Sequence, residues 1–116
     1  MIPWVASNEA KVPELPGVYE LLVKQADGKY LRRYIGQGDS LRERFERHLS
    51  PSEPNVCIKE RLAKCMCAFD YAIITDRADR LDAERALYVR YRSQAECNHV
   101  PPPGSGRPYD VEIIEE

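Results

Sequence analysis

Apolar and polar positions alternate most regularly between Leu15 and His48, and within that stretch the period changes once. Val18-Tyr19-Glu20-Leu21-Leu22-Val23 and Tyr30-Leu31-Arg32-Arg33-Tyr34-Ile35 are rich in β-branched, aromatic and aliphatic residues. They flank Gln25-Ala26-Asp27-Gly28, whose Asp-Gly pair is a hairpin turn signal. With Asp27 and Gly28 as a two-residue loop, Leu21 faces Tyr34 across the ladder and Tyr19 faces Gly36. Tyr19 and Tyr34 then project from one sheet face as diagonal neighbours. A loop longer by one residue breaks this parity unless a bulge restores it. Beyond Ile35 the period becomes helical. Ser40 and Glu43 have capping-box spacing, and Gly36 and Gly38 permit a tight turn from strand to helix. At about 100° per residue, Leu41, Phe45 and Leu49 form a buried stripe, with Arg44 and His48 one turn apart on its flank.

The rest of the chain is read in the same way. Pro3, Pro13 and Pro16 interrupt any long helix, so Ser7 to Val12 is expected to make one short turn, with Trp4 tucked against the domain. Ser50-Pro51-Ser52-Glu53-Pro54 is a break, after which Asn55 caps a second short helix ending near Lys64. Cys65 to Thr75 is apolar, with Phe69, Tyr71 and Ile73 alternating against Ala68, Asp70 and Ala72, and predicts a third, central strand. Thr75 or Asp76 caps a helix that runs to about Gln94, and Asp76 and Asp79 suit its positive N-terminus. A Pro/Gly loop begins at Val100, and Tyr109 to Ile114 reads as an edge strand or an acidic extension. The expected fold is α/β of the α+β kind: a small three-stranded mixed or antiparallel sheet flanked by helices. Residues 1–14 are an N-terminal extension, 15–99 the domain proper, and 100–116 the loop with its acidic strand or tail.

Length and composition narrow the choices. A chain of 116 residues makes one domain able to bury about two thirds of its unfolded surface. No apolar run approaches the roughly 20 residues of a membrane helix, and Met1 to Ala6 lacks the form of a signal peptide, so a cytoplasmic location and no membrane partner are expected. The net charge of −2 is low for a nucleic-acid binder, but it is unevenly spread. Lys29 to His48 holds Lys29, Arg32, Arg33, Arg42, Arg44 and Arg47 against Asp39, Glu43 and Glu46, whereas Asp110, Glu112, Glu115 and Glu116 crowd the C-terminal end. Cys57, Cys65, Cys67 and Cys97 lack the two-to-four-residue gaps of structural zinc sites and are expected to be small buried thiols without disulfides. Glu84 is unusual. Leu81, Leu87, Tyr88 and Tyr91 place it inside an apolar helix face, where a carboxylate must be paired, protonated or bound to a metal; an ion pair with Arg80 is the simplest partner.

Gly17-Val18-Tyr19, Tyr34-Ile35-Gly36, Arg44 ten residues after Tyr34, Glu84 on a later helix and Asn98 soon after it form an ordered set. In these residues the chain resembles the GIY-YIG nucleases, with Val for Ile in the first motif, and His48 is similar to the histidine of some restriction-enzyme members. The resemblance spans Leu15 to Asn98, although the two tyrosines stand further apart than is usual in the family. It implies a metal-dependent endonuclease hydrolysing phosphodiester bonds in DNA, branched or duplex. Catalytic roles would then fall to Tyr19, Tyr34, Arg44, His48, Glu84 and Asn98. Glu84 would hold Mg²⁺ or Mn²⁺ through hard carboxylate oxygen. Tyr19 would act as general base, with Tyr34 and His48 orienting water and phosphate or relaying a proton, and Asn98 positioning its neighbours. Arg32, Arg33, Arg42 and Arg47 are the candidate nucleic-acid contacts. The alternative is an inactive module of the same fold that binds nucleic acid or protein.

Overall fold

The computed structural model describes residues 1–113. Four strands, β1 (Ile2–Pro3), β2 (Gly17–Lys24), β3 (Tyr30–Gly38) and β4 (Cys67–Ile73), form one sheet in the order β1-β4-β2-β3. Every neighbouring pair is antiparallel. The sheet therefore has one strand more than the sequence predicts. The extra strand is two residues long and ends in proline, too short to show an alternating pattern; Ile2 opposes Phe69 and Pro3 opposes Ala68.

Helices begin where capping side chains sit. α1 (Leu41–Leu49) starts with Ser40 Oγ accepting from the Glu43 N–H, and α2 (Val56–Lys64) with Asn55 Oδ1 accepting from the Ile58 N–H. α3 (Arg77–Tyr91) starts with Asp76 Oδ1 accepting from the Asp79 N–H, which selects Asp76 over Thr75. A short 3-10 helix occupies Ala6–Lys11. The described part of the C-terminal segment, residues 100–113, contains neither helix nor strand. It straps across α3, where Ser105 donates to Asp82 and Arg107 pairs with Asp79 and Asp82. Of the edge strand or acidic extension expected at Tyr109 to Ile114, residues 109–113 form no strand, and Ile114, Glu115 and Glu116 lie outside the described residues.

The pleat sorts side chains onto two cores. One face carries Tyr19, Leu21, Val23, Phe69 and Tyr71 beneath Trp4, Val12, Leu41, Phe45 and Ile58. The other carries Val18, Ile35 and Ala72 beneath Ala83 and Leu87 of α3, with Tyr109, Val111 and Ile113 of the strap packed alongside. Trp4 unites the first core: it stacks on Phe45 at 5.4 Å, meets Phe69 edge-on at 5.0 Å, and donates its indole N–H to the Phe45 carbonyl at 3.0 Å.

The second face also buries charge. Glu20 is fully enclosed, with Arg32 Nε 2.7 Å away, and the Arg32 guanidinium lies 4.2 Å over the Tyr91 ring. Burial pushes the Glu20 carboxyl up to about 7, against the pull of Arg32.

The hairpin takes the longer-loop form. Lys24 pairs with Tyr30, so the loop is Gln25 to Lys29, closed by the Gly28 N–H donating to the Gln25 carbonyl, with Gly28 at φ +86°. Left alone, that loop would put Tyr34 on the wrong face. A bulge at Arg33, between the Leu21–Tyr34 and Leu22–Arg32 pairs, restores the parity that aligns the two tyrosines.

Gly36 and Gly38 serve a purpose other than the expected turn. Both lie within β3 and neither has positive φ. A Cβ at Gly36 would run into the Tyr19 ring, and one at Gly38 would come within 2.7 Å of the Arg44 stem. Glycine here makes room for the side chains of the candidate site. Gly36→Ala is expected to displace Tyr19 and cost about 1–3 kcal/mol, the usual range for overpacking; thermal unfolding of the variant beside wild type measures it.

A correction concerns the thiols. Cys57 and Cys97 are joined in a disulfide, with Cα atoms 5.3 Å apart and 40 residues of separation, while Cys65 and Cys67 are free. Tertiary packing brings the start of α2 against the chain beyond α3, where Asn55 Nδ2 donates to the Cys97 carbonyl at 3.0 Å. Nothing in the local sequence of either cysteine reports that meeting.

Candidate active site

Tyr19 on β2 and Tyr34 on the edge strand β3 are diagonal neighbours, their ring centroids 6.2 Å apart. Tyr19 is buried, and its hydroxyl lies 2.6 Å from His48 Nε2, on the last turn of α1. The other ring nitrogen, His48 Nδ1, is 2.7 Å from Glu53 Oε2, and Glu53 Oε1 accepts from the Asn55 N–H at 3.0 Å. His48 and Glu53 are both buried. Because a carboxylate can only accept, this geometry gives His48 a proton on Nδ1 and leaves Nε2 to accept from the Tyr19 O–H.

Tyr34 stands in front of Tyr19, on the wall of a cleft of about 360 Å³ that also takes in Glu84, Asn98, Asn55 and His99 to Pro103. A cleft of about 410 Å³ between α3 and the strap is slightly larger, but its walls are Arg85, Ala86, Val89 and Gly106 to Asp110, with no such cluster. Glu84, on α3, lines this cleft together with Tyr34. The ion pair with Arg80 does not form. Arg80 turns instead to Asp39 at 2.6 Å, to Gln37 and to the carbonyls of Ile74 and Thr75. Glu84 makes no hydrogen bond or ion pair among the described residues, and burial, opposed by Arg44, lifts its carboxyl to about 7.

Arg44 lies along Gly38, and its Nε is buried with no hydrogen-bond partner among the described residues. Its charge acts on Tyr19, Tyr34, His48 and Glu84. Burial, then Tyr34, raise the Tyr19 phenol well above its ordinary value while Arg44 pulls it down. Burial and the Glu84 carboxylate raise Tyr34, opposed by Arg44 and by a hydrogen bond with Tyr19. Burial lowers the His48 imidazole, and Glu53 works in the opposite direction. A half-buried guanidinium without an anion among the described residues, whose charge acts on a carboxyl without a cation there, is an arrangement that an anionic ligand and a metal ion would complete together. One hard carboxylate facing a cleft with room for water suits an oxygen-preferring divalent cation, so the residues present fit Mg²⁺ or Mn²⁺ at Glu84.

Asn98 stands on the cleft wall, but its side chain is fully engaged elsewhere. Oδ1 accepts from the Ile35 N–H at 2.8 Å and Nδ2 donates to the Ile35 carbonyl at 2.9 Å. The amide thus pairs with the open edge of β3 as another strand would, and holds the residue after Tyr34.

The four arginines read as phosphate contacts each have internal partners. Arg32 pairs with Glu20 on the far face of the sheet, and Arg33 with Glu96 and the Gln94 carbonyl. Arg42 pairs with Glu14 and donates to the Val12 carbonyl, and Arg47 pairs with Glu43 along the surface of α1. Glu53 is the member of the cluster that the sequence reading did not select. Its sole local signal is an acidic residue five positions after a histidine, in a proline-flanked turn that folds back on the helix end.

No family model matches the chain, and no curated protein matches it. Solved structures do. The GIY-YIG N-terminal endonuclease domain of UvrC from Thermotoga maritima, as a point mutant bound to its catalytic divalent cation, superposes with a TM-score of 0.60 at 23% identity, over 81% of this chain and 93% of that one. The same domain bound to magnesium gives 0.58 at 24% identity, over 79% and 92%. The chain has the fold of a GIY-YIG nuclease domain.

Proposed function

We propose that the chain is a metal-dependent endonuclease that hydrolyses phosphodiester bonds in DNA, branched or duplex. The observation that carries this reading is a cluster on a fold otherwise seen with a bound catalytic cation: Tyr34 beside the hydrogen-bonded Tyr19–His48 pair, the Glu84 carboxyl on the same cleft wall as Tyr34, and the Arg44 guanidinium, the last two without a hydrogen-bond partner among the described residues. When bound, a divalent ion held by Glu84 would supply Lewis-acid stabilisation of the phosphate oxygens. Arg44 binds the same phosphate through its guanidinium and meets the charge that develops there.

The proton of the attacking water passes to the Tyr34 oxygen as Tyr34 gives its own to Tyr19 and Tyr19 gives its own to His48 Nε2. The water oxygen forms the new P–O bond, the bond to the leaving oxygen breaks, and that oxygen takes a proton from solvent. Relative to the sequence reading, Tyr34 rather than Tyr19 faces the water, because Tyr34 lies on the cleft and Tyr19 is buried behind it. Asn98 is a positioning residue that acts through Ile35. Arg47, exposed on α1, is the most accessible of the four flanking arginines. No helix among the described residues is long and apolar enough to cross a membrane.

Nicking of supercoiled plasmid and cleavage of branched DNA in Mg²⁺ or Mn²⁺, with EDTA as control, tests the reading. Cleavage that EDTA abolishes and that Tyr34→Phe lowers by about a hundredfold is expected, the lower end of what a proton-transfer group contributes. DNA binding without cleavage by wild type would instead make the chain a binding module of this fold.

A further inference from the structure

We infer that Glu53 is a positioning residue of the site: it fixes His48 with its proton on Nδ1, so that Nε2 can take the proton delivered through Tyr19. This rests on the nuclease reading for its purpose, but its geometry stands independently. Two short contacts in line, 2.7 Å from Glu53 Oε2 to His48 Nδ1 and 2.6 Å from His48 Nε2 to the Tyr19 hydroxyl, run through three buried side chains, on the turn after α1, on α1 and on β2. Such a line has one consistent direction. The carboxylate accepts from Nδ1–H, Nε2 therefore accepts from the Tyr19 O–H, and the Tyr19 oxygen is left with lone pairs to accept from Tyr34. Reversing it would require Nε2–H to donate to Tyr19 and Nδ1 to face the carboxylate lone pair to lone pair.

The carboxylate is itself held. Its second oxygen accepts from the Asn55 N–H at 3.0 Å, and the Glu53 N–H donates to the Ser50 carbonyl at 3.1 Å. Asn55 in turn caps α2 and donates to the Cys97 carbonyl. The ring is also steadied by Trp4, which meets it edge-on at 5.7 Å. Glu53 thus does for His48 what the buried acid of a serine-protease triad does for its histidine: it selects the tautomer and stabilises the imidazolium once the proton arrives. The electron bookkeeping is that of a proton transfer alone. Tyr19 O–H breaks, His48 Nε2–H forms, and Tyr19 recovers a proton from Tyr34 in the same step. The imidazolium later returns its proton to solvent.

Besides Glu53, the charged and titratable groups around His48 are Arg44 and Arg47 on its own helix, Tyr19 on β2 and Tyr34 on β3. Burial and both arginines disfavour the imidazolium and Glu53 favours it, so removing Glu53 lowers the pH at which His48 protonates.

Two measurements test the assignment, one of them independent of cleavage. Long-range ¹H–¹⁵N correlation spectra of the wild-type protein are expected to show neutral His48 as the Nδ1–H tautomer. In Glu53→Gln that preference should weaken or reverse while the fold, followed by amide chemical shifts, persists. An Nε2–H tautomer in wild type, or an unchanged Nδ1–H tautomer in folded Glu53→Gln, overturns the inference whether or not the protein cuts DNA. In the cleavage assay, Glu53→Gln is expected to lower kcat by about a hundredfold with KM within threefold, and to move the acid limb of the pH profile to lower pH. Glu53→Asp, which keeps the charge on a shorter stem, should recover part of kcat and return the limb toward its wild-type position. Loss of activity with the limb unmoved would mean that Glu53 only braces the loop. Wild type that cuts nothing would overturn the nuclease reading and leave the tautomer result to decide the role of Glu53.

Discussion

Glu84→Gln is expected to abolish metal-dependent cleavage, a loss on the order of a thousandfold or more, without unfolding the protein. The substitution is isosteric, and among the described residues Glu84 makes no hydrogen bond or ion pair whose loss would destabilise the helix. Its carboxyl is already lifted to about 7 by burial, so a neutral amide at that position relieves a desolvation cost and the melting temperature should hold or rise slightly. What disappears is the carboxylate that, among the described residues, faces the cleft without a partner. The same shift sets the pH behaviour of metal loading. A cation binds the ionised form, so below about pH 7 it must compete with the proton, and apparent Mg²⁺ affinity should be roughly fivefold weaker at pH 6 than at pH 7. Isothermal titration gives the affinity, and the plasmid assay gives the rate. Cleavage by Glu84→Gln within tenfold of wild type would show that the reaction does not depend on this carboxylate.

The second large effect concerns stability. Opening the Cys57–Cys97 disulfide is expected to cost about 4 kcal/mol, the loop-closure entropy of a bridge spanning 40 residues. Urea unfolding with and without reductant, and of Cys57→Ser with Cys97→Ser, measures it. The slope against urea should steepen on reduction, because the unbridged unfolded chain exposes more surface. The local consequence lies at the site. The bridge holds α2 and its preceding Glu53 turn against the residue before Asn98, so two positioning residues share one covalent brace. A midpoint in urea that does not move on reduction would mean that packing alone holds these segments together.

How much of this was written in the sequence divides along the distance over which each feature is encoded. Cap residues, the hairpin and the central strand depend on neighbours within a turn or a pleat, and Ser40, Asn55, the Asp27-Gly28 signal and the alternation around Phe69 reported them correctly. Hairpin parity and helix period placed Tyr19, Tyr34, Arg44 and His48 near one another, whereas Glu84 and Asn98 joined them only through the family resemblance. Features created by long-range meetings stayed hidden. Ile2 becomes a strand only because β4 offers it an edge, and Arg33 bulges only because loop length and sheet parity must be reconciled. Gly36 and Gly38 looked like turn formers, since sequence shows glycine without showing the side chain that fills its space. The local excess of arginine suggested a basic face, yet Glu14, Glu20, Glu43 and Glu96 reach Arg42, Arg32, Arg47 and Arg33 from other parts of the fold or from the next helical turn.

The bulge at Arg33 divides the hairpin into two parts with different tolerance to change. Inward of it, Tyr19 and Tyr34 are locked to each other and to His48, and any insertion or deletion would turn one of them away from the cleft. Outward of it, the ladder from Leu22 to Arg32 works as an extension arm. Leu22 and Val23 are still paired with Ala68 and Cys67 of β4, so matched residues can be added only past the Lys24–Tyr30 pair, where they leave the chemistry in place because the offset is absorbed at a single joint. The wide spacing of the two tyrosines is therefore a difference in the reach of the arm beyond the joint. A graft at its tip would project a new element from the sheet edge and leave the catalytic register undisturbed.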